Sequence, residues 1–517
     1  MIEQEALELE YKVISEDSCI DILLRENILS LPLWYYCCMF LISDGGKDLS
    51  SRDIYELDKS YWFNNFIKYV RDVGGPILSR KSLKMNQKLR DVDILFISRD
   101  RLIKIETDLG TVRSDYLFAS IITKLREEFP NIKMSLACTS NDLEDMNIST
   151  YNTFQFLRPM DFLKAMIFSL RITIPWLKHR NSLDRKLNLD QIGDFSPLSR
   201  IDVFFSFKMV FTRCLNDYAY SNLFSTFDPK IIISNDDIMQ LKPKAMNENA
   251  IFMVIQSALM SPINEHYRKQ FISYYGDESL KSDYFLCSGD YFKELKECAG
   301  VSKRVLVTGQ PRYDALSKIG EQYNKTKIIQ EMGLSPSKKT ILWTTQTHGL
   351  SYIENKKCIE TVYSAMSSLS DAQLIIKLHP DEDQDAPLYV QNHEYEPIIL
   401  GKDVDTNLLL SLCDLLITKN STTALEATIL DKPIIILNLS GKPDKVDYVN
   451  EGIALGVYES ANFTSTIWNS LYNEQVSKRL EMAREQYIKK YLYRKDGKAT
   501  ERIVNLIKSL LPNVKTT

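Results

Sequence analysis

From residue 283 onward the chain alternates short apolar runs with segments whose apolar residues recur at helical spacing. The runs Tyr284–Ser288, Arg304–Thr308, Lys339–Thr345, Gln373–Leu378, Leu415–Thr418 and Ile434–Leu437 read as buried strands. Tyr291–Cys298 reads as a helix, and Pro311, Tyr313, Asp314 and Leu316 open another. The first half shows the same rhythm less cleanly. Strands at Asp93–Ser98 and Lys133–Thr139 flank a helix over Tyr116–Phe129, with Leu117, Ile121, Ile122 and Leu125 on one face. Long amphipathic helices fill 160–225, and strands follow at Lys230–Ser234 and Ile251–Gln256. Residues 1–90 read as helices and loops. Strand–helix alternation of this kind predicts an α/β protein with parallel sheets. The chain divides into an acceptor-side domain over 1–315, a nucleotide-binding domain over 316–490, and a closing helix over 491–517 that crosses back to the first. Both larger domains are expected to be doubly wound and Rossmann-like, with ligands at the carboxyl ends of their strands.

Residues 414–438 carry the most chemistry. Asp414 leads into the strand Leu415–Thr418. Asn420, Ser421, Thr422 and Thr423 then open a helix holding Glu426, which Lys432-Pro433 ends before the next strand. A helix start at the carboxyl end of a strand presents unpaired N–H groups and a positive dipole end, so it favours phosphate. The hydroxyls add donors without bulk. The competing reading is a plain helix cap with Glu426 as an ordinary first-turn acid.

Lys377-Leu378-His379-Pro380 ends another buried strand. Pro380 forces the chain out of the sheet and leaves His379 where ligands bind. An imidazole donates to a phosphate oxygen, and an imidazolium neutralises a leaving diphosphate. Gly309, in Thr308-Gly309-Gln310-Pro311-Arg312, permits close backbone approach and either lines the cleft or hinges the domains. Thr344, Thr345, Gln346, Thr347 and His348 follow a further strand and can face the same crevice. In the first half, Glu106 and Asp108 fall in a polar loop over 106–115, and Asp236 and Asp237 follow the strand ending at Ser234. Any of these carboxylates can act as general base toward an acceptor hydroxyl.

Composition narrows the classes. With 44% hydrophobic and 26% charged residues and a net charge of −4, nothing points to nucleic acid as a partner. The nine cysteines are scattered, with no CxxC pair and no zinc spacing, which fits a reducing compartment and no metal site. No GxGxxG, Walker A or zinc motif is present, so redox, ATPase and metallohydrolase chemistry lack support. The apolar run Ile28–Ile42 contains Pro32 and is shorter than a bilayer span, and the N-terminus is acidic, so the expected location is cytoplasmic. Residues 476–517 hold eleven Lys/Arg against four Asp/Glu, a net of +7, clustered at Lys489, Lys490, Arg494, Lys495 and Lys498. Such a cluster is a solvated helix face or a weak attraction to anionic lipid at the inner face of the membrane.

Three of these runs together, SDYFLCSGDYFKELKECAG…VLVTGQPRYDAL, IIKLHP and DLLITKNSTTALEATILDKPIIILN, resemble the GT-B superfamily branch of bacterial surface-polysaccharide enzymes. That branch includes CDP-glycerol glycerophosphotransferases, polysialyltransferases and capsule Kdo transferases, and it is more distantly similar to UDP-N-acetylglucosamine 2-epimerases. The resemblance covers residues 230–510. It implies a GT-B fold and a metal-independent glycosyltransferase without cofactor. The substrate would be a CMP-, CDP- or UDP-linked donor, and the acceptor a glycan or lipid-linked polysaccharide. It also implies that His379 and the cluster Ser421, Thr422 and Thr423 hold the donor phosphates, with Glu426 facing the ribose or sugar; Lys377, Pro380, Asn420, Gly309 and Thr345 are further candidate substrate-binding residues beside them. Many relatives carry Gln-His-Gly after a first-domain strand, and that histidine can serve as base. Here the segment reads Gln256-Ser257-Ala258. The base is then one of Glu106, Asp108, Asp236 and Asp237, with His266 a further candidate, or the chain is a catalytically impaired scaffold. An epimerase acting on the sugar nucleotide alone is the remaining alternative.

Overall fold

The computed structural model describes residues 10–43, 92–98, 102–107, 110–138, 148–187, 197–234, 246–257, 262–275, 281–316, 319, 324–346, 352–379, 382, 388–389, 395–401, 404–444 and 446–511. The chain forms two compact units. The first comprises Met1–Cys287, Phe292–Leu306 and Ile507–Thr517, and the second Ser288–Tyr291 and Val307–Leu506.

The second unit is built on a six-stranded sheet. Its spatial order is Ile398–Leu400, Ala372–Lys377, Lys339–Thr344, Leu415–Thr418, Ile434–Leu437 and Leu455–Val457, all parallel. Numbered along the chain, that is 3-2-1-4-5-6, the doubly wound order of dinucleotide-binding sheets. The central strands are buried on both faces, which is why their sequences are near-continuous Ile and Leu rather than alternating. Helices Tyr352–Ser368 and Phe463–Tyr472 supply Ile359, Val362, Phe463 and Ile467 to the core against Ile341, Leu374, Ile417 and Ile435. The final helix, Ala499–Leu510, starts in the second unit, and its last turn from Ile507 belongs to the first.

The first unit repeats the plan. Its seven-stranded sheet runs Ser302–Val307, Ser282–Cys287, Ile251–Ile255, Ile231–Ser234, Ile94–Ile97, Met134–Cys138 and Ser149–Asn152. Pairing is parallel from Ser282–Cys287 across to Ser149–Asn152. The strand order reverses between Ile94–Ile97 and Ile231–Ser234. Beside this sheet lies a helical layer formed by Ser18–Leu24, Leu33–Ser43, Pro159–Leu187, Pro197–Phe204, Phe207–Phe227 and Pro262–Tyr275, closed around Trp34, Tyr36, Trp176, Phe204 and Phe205. The apolar run Ile28–Ile42 is explained by this layer: Leu33–Ser43 is a core helix with buried side chains around its circumference. Among the described residues no helix is long and apolar enough to cross a membrane.

One local expectation is corrected. Residues 106–115 are not a loop: Leu102–Thr107 and Gly110–Asp115 form an antiparallel hairpin in which Glu106 pairs with Thr111. In its register Ile105 stands opposite Val112 and Ile103 opposite Ser114, with Gly110 opening the return strand. Pro311–Tyr313 form a 3-10 turn, and Leu316 is the first α-helical residue after it.

Candidate active site

In the second unit the strand order reverses between Lys339–Thr344 and Leu415–Thr418, and a doubly wound sheet binds ligands just beyond the carboxyl ends of such a pair. Three connections leave those ends: residues 345–346, 378–379 and 419–423. The chain bonds them to one another. Thr344 Oγ1 and Thr423 Oγ1 lie 3.3 Å apart, and the Asn420 amide donates to Gln346 Oε1 at 2.6 Å. The His379 amide donates to Thr345 Oγ1 at 3.1 Å, and the Thr345 amide to the Lys377 carbonyl at 3.1 Å. Thr345 in turn donates its hydroxyl to Glu382, a fully buried carboxylate that also accepts from the Tyr389 hydroxyl at 3.4 Å. The Glu382 amide closes the ring by donating to the His379 carbonyl at 2.8 Å. The turn bearing His379 is thus held from both sides by one buried acid. Lys377 is buried, and its Nζ donates to the Leu378 carbonyl at 3.2 Å.

The hydroxyl-rich turn divides its labour. Ser421 Oγ accepts from the Thr423 amide at 3.2 Å, which is the capping role. Thr423 bonds Thr344, and Thr422 is exposed, with no cap bond from its side chain. The helix that follows, Thr423–Ile429, is short; Asp431, with φ of 57°, turns the chain ahead of Lys432-Pro433. Tyr448 is buried behind the turn and donates its hydroxyl to the Ser421 carbonyl at 3.2 Å.

Glu426 lies one turn into the helix. Burial raises its carboxyl above the usual range, and the Arg312 guanidinium opposes that rise. Among the described residues its Oε2 is buried without a hydrogen-bond partner, as is Asn420 Oδ1. Buried oxygens in this state are costly unless a donor reaches them, so the turn offers two acceptors suited to ligand hydroxyl or amine groups. Arg312 packs over the Tyr313 ring at 4.6 Å and donates to its hydroxyl. Arg312 and Tyr448 were not singled out from the sequence. Arg312 was legible in the GQPRYD turn; Tyr448 follows no motif.

Other expected residues fall elsewhere. Gly309, at φ of 78°, lies under the start of the final helix, where an added Cβ would meet Ala499 Cβ and Arg502 Nη2 at 3.3 Å. Arg502 Nε donates to the Thr308 carbonyl at 2.8 Å, and Asp314 caps the same helix through the Ala499 and Thr500 amides. Pro380, Thr347, His348, Asp108, Asp236 and Asp237 lie outside the described residues. Asp236 and Asp237 follow Ile231–Ser234, a strand at the reversal point of the first unit's own sheet. Gln256 is buried and its amide donates to the Leu286 carbonyl at 3.0 Å, while Tyr116 donates to the Ser257 carbonyl at 3.4 Å. His266 is exposed on the helix Pro262–Tyr275, 3.0 Å from Gln270.

Comparison with known proteins settles the lineage. The profile of the CDP-glycerol:poly(glycerophosphate) glycerophosphotransferase family matches residues 230–509, more than half of the chain. The chain belongs to this family. The match spans the second unit's loops at 345–346, 378–379 and 419–423 and the strands Ile251–Ile255 and Ser282–Cys287. Among solved structures, the wall teichoic acid polymerase TagF is similar at 15% identity with a TM-score of 0.50, over 88% of this chain and 99% of that one. A putative UDP-N-acetylglucosamine 2-epimerase from Listeria monocytogenes is similar at 13% identity with a TM-score of 0.50, over 82% and 97%. These likenesses establish the two-domain GT-B fold. No curated protein matches the chain. As a member of the glycerophosphotransferase family, the protein is a transferase that takes a nucleotide-activated donor and a polymer acceptor. Epimerisation is the weaker reading.

Proposed function

We propose that the second unit binds CDP-glycerol and that the protein adds glycerophosphoryl units to a growing polymer. The observation that carries this reading is the cross-bonding of residues 344–346, 377–379 and 420–423 at the strand-order reversal, beside two buried oxygens awaiting donors. His379 and the Thr422 hydroxyl would donate to the diphosphate. Glu426 and Asn420 would accept from the ribose hydroxyls or the cytosine amine. In the transfer step an acceptor hydroxyl oxygen bonds to the phosphorus carrying the glycerol, and that phosphorus releases the bridging oxygen. CMP departs with the bonding electron pair, and the hydroxyl proton passes to a base. The charge that develops on CMP meets fixed N–H dipoles and His379, which do the work assigned to a metal ion in other transferases. The base is proposed among Glu106, Asp108, Asp236 and Asp237. No nucleic acid takes part, and no cofactor is needed. A lipid-linked acceptor places the reaction at the cytoplasmic face of the membrane, with the protein attached peripherally.

The test is incubation with CDP-glycerol and a glycerophosphate-primed acceptor, following CMP release and chain growth with and without EDTA. Growth unaffected by EDTA supports the reading. CMP release that requires an added divalent ion overturns its metal-independent part, and conversion of UDP-N-acetylglucosamine without any acceptor would replace it with epimerisation. Ser257, standing where many relatives have histidine, favours a second reading as a binding scaffold; that reading predicts nucleotide binding without turnover.

A further inference from the structure

The helical layer of the first unit holds a group of side chains that the proposed transfer does not use. Among the described residues, Asp17, Cys19 and His179 are the one set of three His, Cys, Asp or Glu side chains whose ligand atoms come together, all within 4.8 Å of one another. Asp17 caps the helix Ser18–Leu24, and Cys19 lies in its first turn. His179 comes from the long helix Pro159–Leu187, 162 positions after Asp17. Asp17 Oδ1 accepts the Cys19 amide at 3.0 Å and the Ile20 amide at 2.9 Å, which fixes the carboxylate. Its Oδ2 lies 2.9 Å from His179 Nε2. The carboxylate and the imidazole are 15% and 20% exposed, and Cys19 is half-buried. Asp202, which bonds the same long helix, is taken up by the Trp176 indole at 3.0 Å and by Arg180 at 2.7 Å.

We propose that these three residues bind one zinc ion, which ties the helix Ser18–Leu24 to the helix Pro159–Leu187. A carboxylate and an imidazole alone make an ordinary ion pair; the thiol beside them changes the reading. Burial and the Asp17 carboxylate both raise the Cys19 thiol above its usual range, so without a cation the sulfur gains nothing from this position. A divalent ion turns the same proximity into a shared ligand set. Thiolate, imidazole and carboxylate together select zinc, whereas magnesium and calcium take oxygen ligands that this group does not supply. Zinc bonds of about 2.0–2.3 Å set ligand atoms roughly 3.3–3.8 Å apart, so side-chain shifts of about 1 Å bring the three onto corners of one tetrahedron. Partial exposure leaves the fourth corner to water. The ion displaces the Cys19 proton to solvent and binds the neutral imidazole at Nε2. The two amides on Asp17 Oδ1 supply the outer contacts that hold a metal ligand in place. Zinc spacing in the sequence missed the group, because no local motif reaches a ligand 162 positions away. The ion lies in the first unit and the donor loops in the second, so zinc binding and transfer are separate claims and each can fail alone.

The test uses the full chain, stripped of metal by a chelator and dialysed. Zinc titrated in competition with a chromophoric chelator is expected to fill one site per chain, and cobalt(II) in its place to give a thiolate-to-metal charge-transfer band. Cys19→Ser keeps the Asp17–His179 pair, so it separates a metal site from an ion pair; it should weaken zinc binding at least tenfold and abolish the cobalt band. His179→Gln should weaken zinc binding by a similar factor. Zinc should raise the unfolding midpoint of the wild type and leave that of Cys19→Ser unmoved, and magnesium should move neither. Should the variants fail to fold, the wild type alone decides: zinc should slow alkylation of Cys19 at least tenfold, read by peptide mass spectrometry. Zinc bound equally by wild type and Cys19→Ser overturns the proposal, since the metal is then an adventitious ion only. So does a wild type without the cobalt band, or one whose Cys19 is alkylated at the same rate with and without zinc.

Discussion

Glu382 shows how a site can depend on a residue that no motif marks. Its carboxylate is fully buried, takes the Thr345 hydroxyl, and through that hydroxyl fixes the amide of His379. It is a positioning residue, since it acts on His379 through Thr345. Glu382→Gln keeps the shape but replaces an acceptor oxygen with an amide nitrogen. The variant is expected to stay folded and lose five- to tenfold in kcat/KM, with the pH profile unchanged; a wild-type kcat/KM would remove Glu382 from the account. At Glu426 burial favours the neutral acid, with Arg312 pulling the other way. Glu426→Gln is therefore expected to bind CDP nearly as well as wild type, whereas Glu426→Ala should lose about tenfold, measured by calorimetric titration. Glu10 carries the clearest pH signature. It is buried, 3.1 Å from Arg200, and burial raises its carboxyl to about 7 against the opposing pull of Arg200. A carboxyl raised on folding stabilises fully below its unfolded value and loses that contribution as pH rises through the folded one. The first unit should therefore lose up to about 3 kcal/mol between pH 5 and 8, and Glu10→Gln should flatten that slope. Parallel pH–stability curves for the two proteins would contradict the assignment.

At the scale of elements, the sequence was most readable where strands are buried on both faces. Leu415–Thr418 and Ile434–Leu437 coincide with their apolar runs, because water exclusion on both sides leaves few residue choices. The edge strands Ser149–Asn152, Ile398–Leu400 and Leu455–Val457 were missed. They are short and partly exposed, so periodicity has little to act on. Residues 106–115 of the hairpin were taken for a loop because polar residues outnumber apolar ones there; cross-strand pairing is a non-local property. The three loops at 345–346, 378–379 and 419–423 were legible because a strand end, a Pro and a hydroxyl cluster are all local. Their mutual hydrogen bonds were not, since they join residues more than thirty positions apart. Asp414 is an element-scale device. Its Oδ2 accepts the Thr340 amide at 2.8 Å, and its Oδ1 lies 3.1 Å from Lys325 Nζ, so it aligns the two strands at the reversal point. Asp414→Ala should cost about 1–2 kcal/mol in urea unfolding, chiefly from the orphaned amide. A loss below a few tenths of a kcal/mol would show the strands align without it.

At the scale of the molecule, two sheets of the same winding divide the work. The second unit holds the cross-bonded loops on which the proposed donor site rests, and the first supplies the helical layer and carries the proposed bases. The family assignment fixes the class of reaction, and the geometry proposes how the donor is held. The most direct measurement is isothermal titration of CDP-glycerol into the wild-type protein and into His379→Ala and Thr422→Ala. Saturable binding by the wild type, weakened at least tenfold in each variant with unfolding midpoints unchanged, is the predicted result. Equal affinity across the three proteins would contradict the account, because the donor would then be held somewhere other than the cross-bonded loops at 344–346, 377–379 and 420–423.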